Sequence, residues 1–114
     1  MAIHATTRDL GAVTVVDVSG RITLGEGSAA LRHLLGNLVG QGRTKIVLDL
    51  GDVDYIDSSG IGELVSGYRT VTKAGGDLKL LHLTQKAHDL MQITRLFLVF
   101  DVHSDEAAAL RSFA

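Results

Sequence analysis

The densest chemistry in the chain lies in Asp54-Tyr55-Ile56-Asp57-Ser58-Ser59-Gly60-Ile61-Gly62. Two adjacent hydroxyls follow an acid, and two glycines come just after. A helical pattern starts at Ser58, with Ile61, Leu64, Val65, Tyr68, Val71 and Thr72 recurring at i, i+3, i+4 spacing. The hydroxyls therefore sit at a helix start, where free N–H groups and partial positive charge are presented. A serine there has two uses. As an N-cap, Ser58 or Ser59 would contribute about 0.5–2 kcal/mol. As a phosphate acceptor it would gain about −1.5 to −2 charge, partly stabilised by the same N–H groups. With Asp49, Asp52, Asp54 and Asp57 nearby in sequence, a phosphorylated loop would be strongly anionic. An acidic or apolar surface docked on Ser58 would then be expelled, which is an on/off switch for protein binding. Gly60 and Gly62 each cost about 1 kcal/mol of helix propensity. In return, bare backbone lets another molecule come close.

Other chemistries fit less well. A serine hydrolase needs an activated nucleophile, yet no Gly-x-Ser-x-Gly elbow occurs. The five histidines (His4, His33, His82, His88, His103) fall on scattered elements, and His82, read within a strand, is the one that could approach a serine. Asp52-Val53-Asp54 begins like a calcium loop, but Ile56 stands where the third ligand belongs. It reads as a solvated acidic turn, and no metal site is expected. Gly25-Glu26-Gly27 and Gly40-Gln41-Gly42 lack the layouts of dinucleotide or phosphate loops.

The elements that must position the loop follow from periodicity. Residues 4–9 read as an edge strand, turned at Gly11 into the β-branched run Val13–Val18, with Ser19-Gly20 ending it. A helix is expected over 26–39, stopped by Gly40-Gln41-Gly42. The apolar run 44–50 reads as a central strand covered on both faces, with 51–57 as its exit loop. The helix from Ser58 closes at Ala74-Gly75-Gly76 and leads into a strand at 78–83. A short helix over 85–94 buries Ala87, Leu90, Met91 and Ile93; Phe97–Phe100 forms a last strand; Ser104 and Asp105 start a terminal helix over 105–113. On the second helix, Gly60, Glu63, Gly67 and Thr70 mark the side a partner could reach, although Gly67 also suits close internal packing. The order β-β-α-β-α-β-α-β-α predicts an α/β domain: a mixed, mostly parallel sheet with an antiparallel N-terminal edge hairpin and about four helices. Functional loops in such sheets lie at the carboxyl ends of strands, which is where Ser58 falls.

Length and composition agree with one domain spanning 1–114. The 114 residues are 46% hydrophobic and 21% charged, enough for a single modest core. A net charge of −2 weighs against nucleic-acid binding. The absence of cysteine excludes disulfides, thiolate metal sites and a cysteine nucleophile. MAIHATTRDL lacks a signal-peptide layout, and no apolar run approaches the ~20 residues of a membrane span. A cytoplasmic location is expected.

The run Ile56-Asp57-Ser58-Ser59-Gly60-Ile61-Gly62 resembles the signature loop of STAS-domain anti-sigma factor antagonists, as does the strand Lys45–Leu50 before it. Ser19-Gly20-Arg21-Ile22 and Ala74-Gly75-Gly76-Asp77-Leu78 resemble that family's turns, and the likeness extends over the whole chain without an added domain. The resemblance implies a STAS-like fold and a binding module rather than an enzyme, with no cofactor of its own. Its implied partners are an anti-sigma factor that is also a serine kinase using ATP and Mg, and a separate serine phosphatase, with neither nucleic acid nor membrane. Binding of the unphosphorylated domain would free a sigma factor, and phosphorylation would dissolve the complex. By position, Ser58 is the implied acceptor, with Ser59 the alternative. Asp57, Ser59, Gly60, Ile61 and Gly62 would meet the partner, together with Arg21 and Thr23 in the adjoining loop. Many relatives carry an acid where this chain has Thr23, which bears on the partner's identity. The alternative function is a scaffold or adaptor subunit of a stress-signalling complex.

Overall fold

The computed structural model describes residues 3–113. Ile3–Leu10 (β1) and Val13–Ile22 (β2) form an antiparallel hairpin, turned at Gly11 with φ +65°. Glu26–Gly40 (α1), Lys45–Ile56 (β3), Ser58–Lys73 (α2) and Asp77–Leu81 (β4) follow. Gln85–Thr94 (α3), a 3-10 turn at Leu96–Leu98, Val102–His103 (β5) and Glu106–Arg111 (α4) complete the chain. The strands lie in the order β1-β2-β3-β4-β5, and every pair after the first is parallel. Because each crossover steps one strand in the same direction, a constant right-handed sense puts the connecting helices on one face.

Alternation along the strands separates two cores. Val16 and Val18 of β2, Ile46, Leu48 and Leu50 of β3, and Leu78 and Leu80 of β4 pack with Leu31, Leu35, Leu64, Val71 and Met91 of α1, α2 and α3. Val13, Val15, Val47 and Leu81 point to the other face, where Ala109, Leu110 and Phe113 of the C-terminal segment cover them. The strands thus have both faces covered at mid-length, as their nearly unbroken apolar runs require.

Several expectations need correction. Residues 51–57 do not form a loop, and β2 does not stop at Ser19-Gly20. Instead β2 and β3 continue together through two register shifts to the pair Ile22↔Ile56. The turn-like composition is overridden because each extension supplies the other's backbone partners. Gly20, at φ +100°, accommodates one of the irregularities. Second, Phe97–Phe100 is not a strand. Arg95 takes a left-handed conformation that ends α3, the next residues curl into the 3-10 turn, and the ladder with β4 resumes at Val102. Of that run only Phe100 is buried, edge-on to Tyr68 with ring centroids 5.5 Å apart. Third, Ile93 is not inward but 79% exposed, since it falls about 200° around the helix from Met91. At the last helix the cap is Asp105, accepting from Ala108 N at 3.1 Å, rather than Ser104.

Candidate functional site

The strand β3 delivers the chain to α2 at the carboxyl end of the sheet. Asp57, extended at φ −107° and ψ −174°, is the N-cap, and its Oδ1 accepts from Gly60 N at 2.9 Å. Its own N–H donates to Ile22 O at 3.3 Å, fastening the junction to the end of β2. Neither serine is therefore the cap. Ser58, the first helical residue, is exposed and Ser59 is half-buried. Among the described residues the Ser58 hydroxyl makes no hydrogen bond. The N–H groups of Ser58 and Ser59 precede the first intrahelical donor, as at any helix start. The result is an uncommitted hydroxyl over a small concentration of positive dipole.

The two glycines differ. A Cβ on Gly60 would overlap Ile22 O and also meet the Ile56 side chain, whereas a Cβ on Gly62 would meet nothing within 4 Å among the described residues beyond its own helix backbone. Gly60 is buried, so its bare backbone serves the seam between α2 and β2; Gly62 is exposed. Ile61 is 4% exposed and belongs to the core. The α2 side expected to be open is largely occupied. Gly67 lies against the Leu35 side chain of α1, and Glu63 pairs with Arg32 of α1 at 3.3 Å, leaving Thr70 exposed. The alternative left open for Gly67 is resolved in favour of internal packing.

The neighbouring loop belongs to the same surface. Arg21 is exposed and Thr23 half-buried, with Thr23 O accepting from Ser28 N at 3.1 Å and Ser28 Oγ at 2.8 Å. Leu24 is 81% exposed. Gly25, at φ +97°, starts α1 without a side-chain cap. The starts of α1 and α2 are thus joined through Ile22, which pairs with Ile56 in the ladder and accepts from Asp57.

The acidic cluster is dispersed. Because β3 stays extended to Ile56, Asp49 lies about 23 Å before its end at ~3.3 Å per residue. Asp49 instead accepts from Gly51 N at 3.0 Å and bonds His82 Nδ1 at 3.2 Å. His82 is not within β4; it follows it with φ +57°. That placement removes the nucleophile–base reading, and among the described residues no histidine hydrogen-bonds Ser58 or Ser59. Nor does any group of three or more metal-ligating side chains occur among them.

Tyr55 is a participant that sequence reasoning missed. The Arg21 guanidinium carbon lies 5.1 Å and Lys86 Nζ 4.2 Å from its ring centroid. The signal was the parallel register that sets Arg21 beside Tyr55, which is invisible while 51–57 is taken for a loop.

Comparison with known proteins supplies an independent line. The family model described as Mlab, STAS domain matches residues 5–97. The anti-sigma-B factor antagonist of Bacillus subtilis is 36% identical over 87 residues, which cover 76% of this chain and 78% of that protein. The crystal structure of an anti-sigma factor antagonist from Mycobacterium paratuberculosis superposes with a TM-score of 0.82 at 25% identity, covering 97% of this chain and 93% of that one. The Bacillus cell fate determinant SpoIIAA in its phosphorylated form gives 0.74 at 18% identity, covering 97% and 100%.

Proposed function

The chain belongs to the STAS domain family, and on that premise we propose that it is an anti-sigma factor antagonist switched by phosphorylation of Ser58. Unmodified, it binds an anti-sigma factor that is also a serine kinase, and a sigma factor is released. The kinase transfers a phosphoryl group to the Ser58 hydroxyl, the complex separates, and a phosphatase restores the bare serine. It acts in the cytoplasm as a binding module, and ATP and Mg belong to the partner.

The observation that carries this reading is the division of labour at the α2 start. Asp57 satisfies the helix end, which leaves Ser58 exposed and free of structural duty. A side chain that held the helix together could not be modified repeatedly without cost to the fold. The added dianion finds free N–H groups and the helix dipole beneath it, while a partner surface packed on Leu24, Ser58 and Gly62 would have to accept that charge without water. A relative that is an anti-sigma-B factor antagonist supports the antagonist role.

The test uses the purified chain and its cognate anti-sigma kinase. Wild type should bind in the absence of ATP, then take up one phosphate and dissociate when ATP is added. Ser58→Ala should bind and stay bound, with no phosphate found by mass spectrometry. Full phosphate incorporation into Ser58→Ala would move the acceptor to Ser59. Absence of both binding and modification in wild type would end the switch reading.

A further inference from the structure

The carboxyl end of the sheet also carries charge that nothing in the fold consumes. Arg21, from β2, and Lys86, from the first turn of α3, both lie against the Tyr55 ring, at 5.1 and 4.2 Å from its centroid. Among the described residues neither comes within 4.0 Å of a carboxylate, which is also true of Lys45, Arg69, Lys73, Arg95 and Arg111; what sets Arg21 and Lys86 apart is that both sit on one aromatic ring. An exposed cation–π contact is worth only about 0.5–1 kcal/mol, and two cations sharing one ring repel each other. Lys86 is further disfavoured by its place, because a helix start carries partial positive charge. The arrangement lacks one component, an anion with acceptor oxygens enough for both cations.

We propose that Arg21 and Lys86, seated on Tyr55, form a receptor for a phosphate-class dianion. An arginine fork and a lysine point charge are complementary donors for such a group. The dianion could come from the phosphoryl group on Ser58, three residues past Tyr55, or from a phosphate brought from outside, such as that of a partner-bound nucleotide. Only the first source rests on the phosphorylation reading above.

The experiment has two arms on the full chain. In the first, unphosphorylated protein with ring-labelled tyrosine is titrated with inorganic phosphate at low ionic strength and followed by NMR. Tyr68, packed on Phe100, is the internal reference. A saturable shift of Tyr55 alone, lost in R21Q/K86Q, supports a site for external phosphate. In the second, the Ser58-phosphorylated chain is titrated by 31P NMR. A phosphoserine second pKa, ordinarily about 6, that lies lower in wild type than in R21Q/K86Q by about half a unit or more assigns the site to the chain's own phosphate. Both replaced side chains are exposed, so the double variant keeps the fold, which circular dichroism checks. A stationary Tyr55 together with identical 31P titrations overturns the proposal. If Ser58 cannot be phosphorylated at all, the switch reading fails while the first arm still decides this one.

Discussion

The side of the sheet covered by the C-terminal segment and the sheet's carboxyl end treat their polar groups in opposite ways. At the β4–β5 edge, Lys79 is 6% exposed, and its Nζ lies 2.9 Å from Asp101 Oδ2 and 4.9 Å from the centre of the Phe113 ring. The same Asp101 oxygen is 2.8 Å from His103 Nε2. Across the face, Arg8 is bound to both Asp17 and Glu106, which ties the N-terminal hairpin to α4 and holds the guanidinium firmly protonated, chiefly through the Asp17 hydrogen bond. At the carboxyl end, by contrast, Ser58, Arg21 and Lys86 are exposed and have no such partners among the described residues, and Leu24 projects into solvent. A charge that is paired inside the fold explains itself. Unpaired cations occur elsewhere too, as at Lys45 and Lys73, but only at the carboxyl end do two of them share one ring, beside an exposed hydroxyl and an exposed leucine.

That contrast can be broken by substitution. The largest effect is expected from Gly60→Val, which drives a side chain into Ile22 O and Ile56. A loss of about 3 kcal/mol or more, or failure to fold, should appear in thermal melts. Gly62→Ala has open space and should gain up to about 1 kcal/mol of helix propensity. Any loss of partner binding in Gly62→Ala is then a surface effect. Asp57→Ala removes the cap and should cost about 0.5–2 kcal/mol by denaturant titration, with Ser58 phosphorylation slowed because the loop is no longer held.

A smaller, pH-dependent effect belongs to the paired side. The hydrogen bond from Lys79, reinforced by His103, depresses the Asp101 carboxyl below its ordinary value. A depressed acid contributes stability fully above its unfolded pKa of about 3.9 and loses it as pH falls through the lower folded value. Asp101→Asn should therefore be less stable than wild type at neutral pH, and the gap should close on acidification below about 4. A gap that persists undiminished at low pH would argue that Asp101 acts through packing instead. The smallest stability change is expected for Ser58→Ala, within about 0.5 kcal/mol as for other exposed sites, alongside the loss of phosphate uptake that the proposed switch requires.

Much of this was legible in the sequence because period and punctuation agreed. The shift from β-branched runs to i, i+3, i+4 spacing marked the helices, and glycine marked their ends. The Asp-Ser-Ser-Gly junction marked the candidate site. What was illegible depended on pairing across distance. The β2–β3 extension looks like a turn until each strand is set beside the other. For the same reason Asp49 was counted among the acids around Ser58, although the extended strand carries it away. Gly60 could not be told from Gly62 by residue type; only the approach of Ile22 distinguishes them. The run Phe97–Phe100 misled because apolar content does not say whether a sheet edge is within reach.

The strand order β1-β2-β3-β4-β5 has a kinetic corollary. Every strand joins one already made, so the chain can assemble in the direction of its synthesis, without waiting for a distant segment. Loop-closure entropy stays modest at each step. The Ser58 junction needs only β2, α1, β3 and the start of α2, so the nascent polypeptide can form it before the C-terminal third has left the ribosome, with Lys86 of α3 arriving afterwards.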